Sequence, residues 1–167
     1  MRNRRQFLSA VAGGLLIAAA GKVIGMGQAN DTAESKGDFP YKLTEAEWKK
    51  KLEPRVYGVL RRAATEPAFS SPLYQEHRQG VFHCAGCNQT LFLSDNKFES
   101  GTGWPSFWQP ASPKAVGTST DYKIGYPRTE AHCANCGGHL GHVFEDGPPP
   151  TGLRYCINGL ALLFIPA

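Results

Sequence analysis

The sequence predicts a mainly β domain preceded by two short helices. With 167 residues, the chain has room for one domain of ordinary size. Nineteen glycines and twelve prolines indicate many turns between short strands rather than a helical bundle. Beyond Gly80, short apolar segments alternate with Gly, Pro, Asn and Asp, which is typical of a small antiparallel β core.

The N-terminus has the pattern of an export signal. Arg4 and Arg5 precede an apolar stretch from Phe7 to Ala20, and Gly27-Gln28-Ala29 resembles a signal-peptidase site. The arginine pair followed by Phe7-Leu8 resembles the twin-arginine signal. We therefore expect a signal peptide at 1–29, a polar linker at 30–40 and a single domain at 41–167. Cleavage would release the protein into the periplasm or an equivalent exported location without stable membrane association, whereas an uncleaved signal would anchor it.

The charge of the chain gives no reason to expect a nucleic-acid partner. The sequence contains 18 Lys and Arg against 14 Asp and Glu. Four of the basic residues and none of the acidic residues fall within the first 29 positions, so the remainder is formally neutral. A neutral domain lacks the basic surface that attracts a phosphate backbone.

Residues 44–64 have the pattern of two consecutive helices. Thr44 and Glu47 fit a capping box, and apolar residues from Trp48 to Leu60 recur at a spacing of four. Pro54 should divide the region into two helices, with the apolar positions in the core. Four segments further along are predicted as strands: 81–84, 90–93, 142–144 and 162–165.

Four cysteines form two C-x-x-C pairs, Cys84/Cys87 and Cys133/Cys136. Turn-forming residues follow each pair, so the backbone can wrap around an ion with both thiolates on one side. Two such knuckles would hold one structural Zn²⁺ ion. Two disulfides are an alternative, although they would be strained in facing knuckles. A thioredoxin-like redox pair is another, although neither pair begins a helix after a βαβ strand.

The fifth cysteine, Cys156, lies outside this site. If it is in a strand, Arg154 lies on the same face, and a nearby guanidinium favours the reactive thiolate. The alternative is a buried structural cysteine. The polar neighbours Tyr155 and Asn158 favour a reactive thiol.

Two further groups would suit a reactive thiol. His139 and His142 follow the second knuckle, and four cysteines leave no coordination position for them. They are either hydrogen-bonded turn residues or proton donors near neutral pH. Trp104 and Phe107 lie in a Gly- and Pro-rich loop, where aromatic side chains either anchor the loop or line an apolar pocket.

These residues belong to longer strings that closely resemble the B-type methionine sulfoxide reductases. The resemblance extends from about Tyr41 to Pro166, and several motifs in order make it more specific than any one of them. The strings are Thr65-Glu66 with Phe69-Ser70, both C-x-x-C pairs, Lys97-Phe98-x-Ser100-Gly101-x-Gly103-Trp104-Pro105-Ser106-Phe107, Arg128-Thr129-Glu130, His139-Leu140-Gly141-His142-Val143-Phe144 and Gly152-Leu153-Arg154-Tyr155-Cys156-Ile157-Asn158.

The resemblance implies two antiparallel β-sheets with short N-terminal helices, and a zinc site remote from the catalytic centre. It also implies reduction of the R epimer of methionine sulfoxide, mainly in oxidised proteins or peptides, and thus repair of oxidative damage in the cell envelope. Cys156 resembles the nucleophile, which becomes a sulfenic acid. The remaining candidates are substrate-binding Trp104 and Phe107, the oxygen-positioning and protonating residues His139, His142 and Asn158, and Arg154 beside the thiolate.

One position departs from the family pattern. Many members carry a resolving cysteine where this chain has Thr102, and the chain has no sixth cysteine to replace it. A disulfide within the chain would have to use a zinc ligand and would forfeit metal-linked folding energy. We therefore expect an external thiol reductant, either thioredoxin-like or a small thiol, to reduce Cys156 directly.

Two other classes of protein share some of these features. A zinc-ribbon binding module that had lost its activity would lack the nucleophile or the histidine cluster, and both are intact here. A thiol–disulfide oxidoreductase would use a C-x-x-C pair and would keep its fold in the presence of a chelator.

Overall fold

A computed structural model describes residues 37–167, and these residues form two α-helices and nine β-strands in two antiparallel sheets. The signal peptide predicted at 1–29 and most of the predicted linker lie outside the described residues. The ring of Phe39 packs edge-on against His132 at 5.6 Å, so folded contacts begin inside the predicted linker. The mainly β fold class is confirmed.

The two predicted helices are present. Helix α1 spans Glu45–Lys51 and begins with the predicted capping box between Thr44 and Glu47. Helix α2 spans Pro54–Arg62 and begins at Pro54, because proline lacks an amide hydrogen that the first turn does not need. No helix in the described part of the chain is long and apolar enough to cross a membrane.

The smaller sheet has the strand order β2-β1-β9 and the larger sheet the order β3-β4-β8-β7-β6-β5. The strands of the smaller sheet are β1 Gly80–Cys84, β2 Thr90–Leu93 and β9 Leu162–Pro166. Those of the larger sheet are β3 Lys97–Phe98, β4 Ser106–Phe107, β5 Val116–Asp121, β6 Arg128–Cys133, β7 His139–Phe144 and β8 Arg154–Ile157. All four predicted strands are therefore found, with β7 three residues longer at its start.

Three buried phenylalanines join the two sheets. Phe107 on β4 stacks on Phe92 of β2 at a centroid distance of 4.2 Å and meets Phe82 of β1 edge-on at 5.0 Å. All three side chains are fully buried. Burial of three aromatic rings contributes strongly to stability and fixes β4 beside β8, the strand that carries Cys156.

The helices cover the two cysteine knuckles. Leu60 on α2 lies against both Gly86 and Gly138, where an added Cβ would stand only 3.2 Å and 3.0 Å from its methyl groups. Arg61 stacks on Trp48 of α1 and donates to the backbone carbonyl of Cys136 at 3.1 Å. The helical hairpin thus positions the knuckles rather than the pocket described next.

Candidate active site

The predicted nucleophile lies in a row of side chains that crosses the larger sheet. Cys156 on β8 pairs with Ser106 on β4 and with His142 on β7. The row continues through Glu130 on β6 to Ser119 on β5. Directly paired residues project from the same face of an antiparallel sheet, so residues far apart in sequence become neighbours.

This face of the sheet carries a small pocket of about 130 Å³. It brings together four of the predicted site residues and four others. The lining residues are Thr65, Trp104, Arg128, Gly141, His142, Phe144, Cys156 and Asn158. A thiol, an imidazole and two aromatic side chains therefore meet in one space that is large enough for a single side chain.

Cys156 is partly buried, and its environment acts on the thiol in two directions. Burial raises the pKa of Cys156, while a contact with Thr102 and the charge of Arg154 act to lower it. Thr102 Oγ1 lies 3.9 Å from Cys156 Sγ. Because burial prevails, the resting form is the thiol, although the Arg154 guanidinium favours the thiolate as expected from sequence.

Arg154 is held by a carboxylate on the neighbouring turn. Its Nε and Nη2 donate to the two oxygens of Asp146, each at 2.8 Å, and its guanidinium lies over the ring of Phe144 at 4.4 Å. Arg154 therefore lies beside Cys156 and holds the ring of Phe144 in the pocket wall. Asp146 partly neutralises the positive charge of Arg154.

Each histidine is paired with a carboxylate. His142 Nε2 lies 2.8 Å from Asp121 Oδ2, and His139 Nδ1 lies 2.7 Å from Glu130 Oε1. A carboxylate can only accept, so each of these ring nitrogens carries a proton and donates it. His142 therefore presents its other nitrogen, Nδ1, as the atom that can exchange a proton.

The two carboxylates are strongly acidic, and His142 is a weak base. Burial lowers the pKa of His142 and outweighs the opposing hydrogen bond to Asp121, while the charge of Arg128 lowers it further. Burial raises the pKa of Asp121, but hydrogen bonds from His142, Lys123 and Arg128 hold it well below its usual range. The hydrogen bond from His139 lowers the pKa of Glu130 to about 2.

The two predicted histidines differ in position. His142 lines the pocket, whereas His139 lies behind it, with the two ring centroids 5.4 Å apart. His139 Nε2 is buried and has no hydrogen-bond partner among residues 37–167. His142 is therefore better placed than His139 to reach a bound molecule.

Asn158 and Trp104 are connected through Glu66, a residue of the family strings for which the sequence predicted no role in the site. Asn158 accepts from the Glu66 amide at 3.0 Å and donates to the Leu140 carbonyl at 2.9 Å. Trp104 Nε1 donates to the Glu66 carbonyl at 3.1 Å. The buried Glu66 carboxylate itself accepts from the amides of Gly159 and Leu160. The Asn158 amide is thus largely committed to holding the loop that fixes Trp104.

Phe107 does not line the pocket, because it is fully buried between the two sheets. Its place in the wall is taken by Phe144, which was not among the predicted site residues. Arg128 and Asp121 were also missed. Arg128 belongs to one of the family strings, but the two strands that carry Asp121 and Arg128 are polar, and their alternation is weak because few of their residues are apolar.

The four remaining cysteines form a separate cluster. Their sulfurs all lie within 4.8 Å of one another, with Cys84 and Cys136 at 3.7 Å and Cys87 and Cys133 at 3.6 Å. Sulfurs placed about 2.3 Å from a tetrahedral ion are about 3.8 Å apart, so the donor set fits such an ion. All five cysteines fall within the described residues, and none forms a disulfide.

The turns that the knuckles require are also present. Asn88 and Gly137 adopt positive φ angles of 63° and 68° directly after the two pairs. The Gly86 amide and the Asn135 side chain donate to cysteine sulfurs, each at 3.4 Å. Such bonds orient sulfur ligands around a metal.

The pocket contains a single thiol beside aromatic side chains, and the four-sulfur centre lies apart from it. These two features together are typical of a thiol-dependent enzyme. The SelR domain family matches residues 52–166. A protein of Agrobacterium fabrum named peptide methionine sulfoxide reductase MsrB is 52% identical over 123 residues, covering 74% of this chain and 91% of that protein. A protein of the same name from Methanosarcina barkeri is 54% identical over 121 residues, covering 72% and 85%. This chain belongs to the B-type methionine sulfoxide reductase family.

Proposed function

We propose that this protein reduces the R epimer of methionine sulfoxide in proteins and peptides, with Cys156 as the nucleophile. The observation that carries the proposal is the row in the larger sheet, which puts Cys156 and His142 side by side at a pocket walled by Trp104. The thiol supplies the electrons, the imidazole moves a proton, and the apolar wall receives the methyl group. The family of the chain supports the same reaction.

The first chemical step needs both a thiolate and a proton on the sulfoxide oxygen. At rest Cys156 is a thiol and His142 is neutral, because burial raises the pKa of the thiol and lowers the pKa of the imidazole. His142 Nδ1 takes the thiol proton, so a thiolate and an imidazolium form together, and Asp121 stabilises the imidazolium. The proton donor is therefore formed only as the nucleophile is activated.

The same proton then completes the step. The Cys156 thiolate attacks the sulfoxide sulfur, and the imidazolium protonates the departing oxygen, which is a poor leaving group unless protonated. The protonated oxygen then moves from the substrate sulfur to the Cys156 sulfur as the sulfur–sulfur bond formed in the attack breaks, which releases methionine and leaves Cys156 as sulfenic acid. Sulfur is reduced in the substrate and oxidised in Cys156, and His142 returns to its neutral form.

Selection between epimers follows from the two unlike sides of the pocket. Trp104 and Phe144 offer apolar surface for the methyl group, while His142 and Arg128 lie where the oxygen must be met. The opposite epimer would place its oxygen against an aromatic ring and leave the polar groups unpaired.

We propose Zn²⁺ as the ion of the four-cysteine cluster. A closed set of four thiolates suits a redox-inert tetrahedral ion. Cys84, Cys87, Cys133 and Cys136 would hold it. When bound, the ion crosslinks the two knuckles and fixes Cys136, which precedes the start of β7 at His139 by three residues.

Recovery of the thiol requires an external thiol reductant. Thr102 Oγ1, a hydroxyl that cannot form a disulfide, lies 3.9 Å from Cys156 Sγ. The other four cysteines form the four-cysteine cluster, which we call the metal cluster. An external thiol, from a small molecule or a thioredoxin-like protein, would attack the sulfenic acid directly.

We place this activity in the cell envelope, on the basis of the arginine pair and apolar stretch within residues 1–29. Replacing Arg4 and Arg5 together by lysine should retain the full-length chain in the cytoplasm of an expressing bacterium. Unchanged export of this variant would contradict a twin-arginine route.

The direct test of function is reduction of a peptide that contains racemic methionine sulfoxide, with dithiothreitol as the reductant. Chiral separation of the remaining substrate should reveal loss of the R epimer alone. Cys156→Ser should abolish that loss while it keeps the metal content and unfolding temperature of the wild type. Retention of both epimers by folded, metal-loaded wild-type protein would overturn the proposed function.

A further inference from the structure

Three hydroxyl groups connect the Cys156 sulfur to a backbone carbonyl. Thr102 Oγ1 lies 3.9 Å from Cys156 Sγ and 2.8 Å from Ser100 Oγ. Ser100 Oγ lies 2.7 Å from Ser106 Oγ, and Ser106 Oγ donates to the Trp104 carbonyl at 3.1 Å. We call Thr102, Ser100 and Ser106 the hydroxyl chain. Ser106 is almost fully buried, so its proton needs a partner inside the protein.

The far end of this chain determines the direction of every proton while Cys156 is a thiol. A carbonyl can only accept, so the Ser106 proton points to Trp104. Ser100 must then donate to Ser106, and Thr102 to Ser100, because each hydroxyl has one proton. Thr102 Oγ1 is left as an acceptor, which suits the S–H group of Cys156.

A thiolate reverses these requirements. It has no proton and needs a donor, and Thr102 is the hydroxyl in contact with it. Thr102 can donate to sulfur if Ser100 donates to Thr102 and Ser106 donates to Ser100. The Trp104 carbonyl then loses its hydrogen bond from Ser106. The same three side chains therefore have two self-consistent proton arrangements, one for each state of Cys156.

We propose that the hydroxyl chain reverses its direction when Cys156 loses its proton, so that Thr102 accepts from the thiol and donates to the thiolate. Thr102 is then a positioning residue for the nucleophile rather than only a substitute for a cysteine. Reversal costs the hydrogen bond to Trp104, so Ser100 and Ser106 hold the sulfur in the thiol form until it is activated. The use of this device in catalysis rests on the function proposed above.

Four other charged or titratable side chains lie around Cys156. They are His142 on β7, Arg128 on β6, Arg154 on β8 and Asp146 in the turn before β8. None of these four side chains hydrogen-bonds to a member of the hydroxyl chain. Variants of the hydroxyl chain therefore test it separately from the electrostatic field of the site.

Thr102, at the sulfur end of the hydroxyl chain, and Ser100, its middle member, make opposite predictions for the ionisation of Cys156. Thr102→Val removes the donor to the thiolate, so the pH midpoint of ionisation should rise by about one unit. Ser100→Ala removes the acceptor that competes for the Thr102 proton. Thr102 is then free to donate to sulfur, and the midpoint should fall by about half a unit. Thr102→Ser keeps the hydroxyl and should restore the wild-type midpoint.

The experiment measures the rate of alkylation of Cys156 by iodoacetamide against pH, read by mass spectrometry on the metal-loaded full-length chain. It needs no sulfoxide substrate, so its outcome is independent of the proposed function. Opposite shifts for Thr102→Val and Ser100→Ala would support the hydroxyl chain. Shifts in the same direction, or no shift in either variant, would overturn it.

Discussion

The molecule holds thiols in two ways, and the two regions are built on different principles. In the metal cluster, four cysteines come from two short turns, and their sulfurs converge within 4.8 Å. In the active site, one cysteine is placed by its register in a six-stranded sheet, beside residues of the two adjacent strands and in one row with Glu130 on the strand beyond. Each sulfur of the four-cysteine cluster lies among three other sulfurs, whereas the sulfur of Cys156 lies among groups that can exchange protons.

From this difference we expect one set of thiols to be structural and the other to be reactive. Thiolates that share an ion are held in the deprotonated form, and each donates an electron pair to the metal. Cys156 is kept as a thiol because burial raises its pKa, and it faces a pocket with an imidazole beside it. We therefore expect its reactivity to depend on proton transfer to that imidazole.

We expect the largest effect from the removal of one cysteine of the metal cluster. Cys133→Ser should abolish metal binding and cooperative folding, because the cluster joins two segments that lie far apart in the sequence and metal binding is coupled to folding. Metal content and thermal unfolding by circular dichroism measure this. Cys156→Ser is the matched control and should keep one ion per chain. A wild-type unfolding temperature for Cys133→Ser would contradict a structural role for the cluster.

A second change adds another thiol beside Cys156. Thr102→Cys places a second thiol near Cys156, where the native hydroxyl is 3.9 Å from the sulfur. The new thiol can attack the sulfenic acid of Cys156 within the same chain. After one turnover without reductant, mass spectrometry should find a disulfide between Cys156 and the introduced thiol.

The control for this gain is Thr118→Cys on the exposed part of β5, which adds a thiol away from the pocket. It should form no disulfide with Cys156. If Thr102→Cys also stops at the sulfenic acid, the contact between positions 102 and 156 does not reach the geometry that a disulfide requires.

A third change sharpens the role of the carboxylate behind His142. The hydrogen bond to Asp121 raises the pKa of His142 against burial, so Asp121→Asn should lower that pKa further. His142 becomes a weaker base toward the Cys156 thiol, and kcat/KM should fall by about thirtyfold. The reaction requires neutral His142, so the acidic limb of the pH–rate profile should move to lower pH. Exposed Asp95→Asn should leave the profile unchanged, and an unmoved acidic limb in Asp121→Asn would exclude His142 as the base.

The smallest expected effect is on stability. The pKa of Glu130 is lowered from 4.5 to about 2 by hydrogen bonds from His139 and Ser119. The unfolded chain therefore binds more protons, so this contribution is present above pH 4.5 and is lost as the pH falls toward 2. Glu130→Gln should lower the free energy of unfolding at pH 7 by about 1 kcal/mol and remove this acid dependence.

Urea unfolding at several pH values measures the effect of Glu130→Gln, with exposed Glu145→Gln as the control. An acid dependence that is identical in Glu130→Gln and the wild type would mean that the His139 pair does not contribute to stability.

The sequence predicted the local features well because they depend on neighbouring residues. The capping box at Thr44, the helix start at Pro54 and the knuckle turns at Asn88 and Gly137 each follow from two to four adjacent positions. The metal cluster was predictable for the same reason, since each C-x-x-C pair is a local unit. Cys156 was identified by its polar neighbours and by the resemblance of long motifs.

The parts that escaped prediction depend on register between distant strands. Glu130 and Ser119 join the row of Cys156 only through three successive strand pairings. Strands β5 and β6 carry few apolar residues, so their alternation gave no strand signal, and Asp121 at the end of β5 was missed with them. The sequence predicted Phe107 in the pocket because an aromatic residue in a loop motif suits either the hydrophobic core or the wall of a pocket. Only the packing of the two sheets shows that Phe107 lies in the core.

The most direct test of the account is a single turnover without reductant. Metal-loaded protein is mixed with an excess of the R sulfoxide peptide, and the products are counted in the presence of dimedone, which traps sulfenic acids. We predict one methionine formed per chain, a single dimedone adduct at Cys156, and four cysteines still bound to metal. A disulfide between Cys156 and a cysteine of the metal cluster, with release of the ion, would contradict the division between the two sets of thiols.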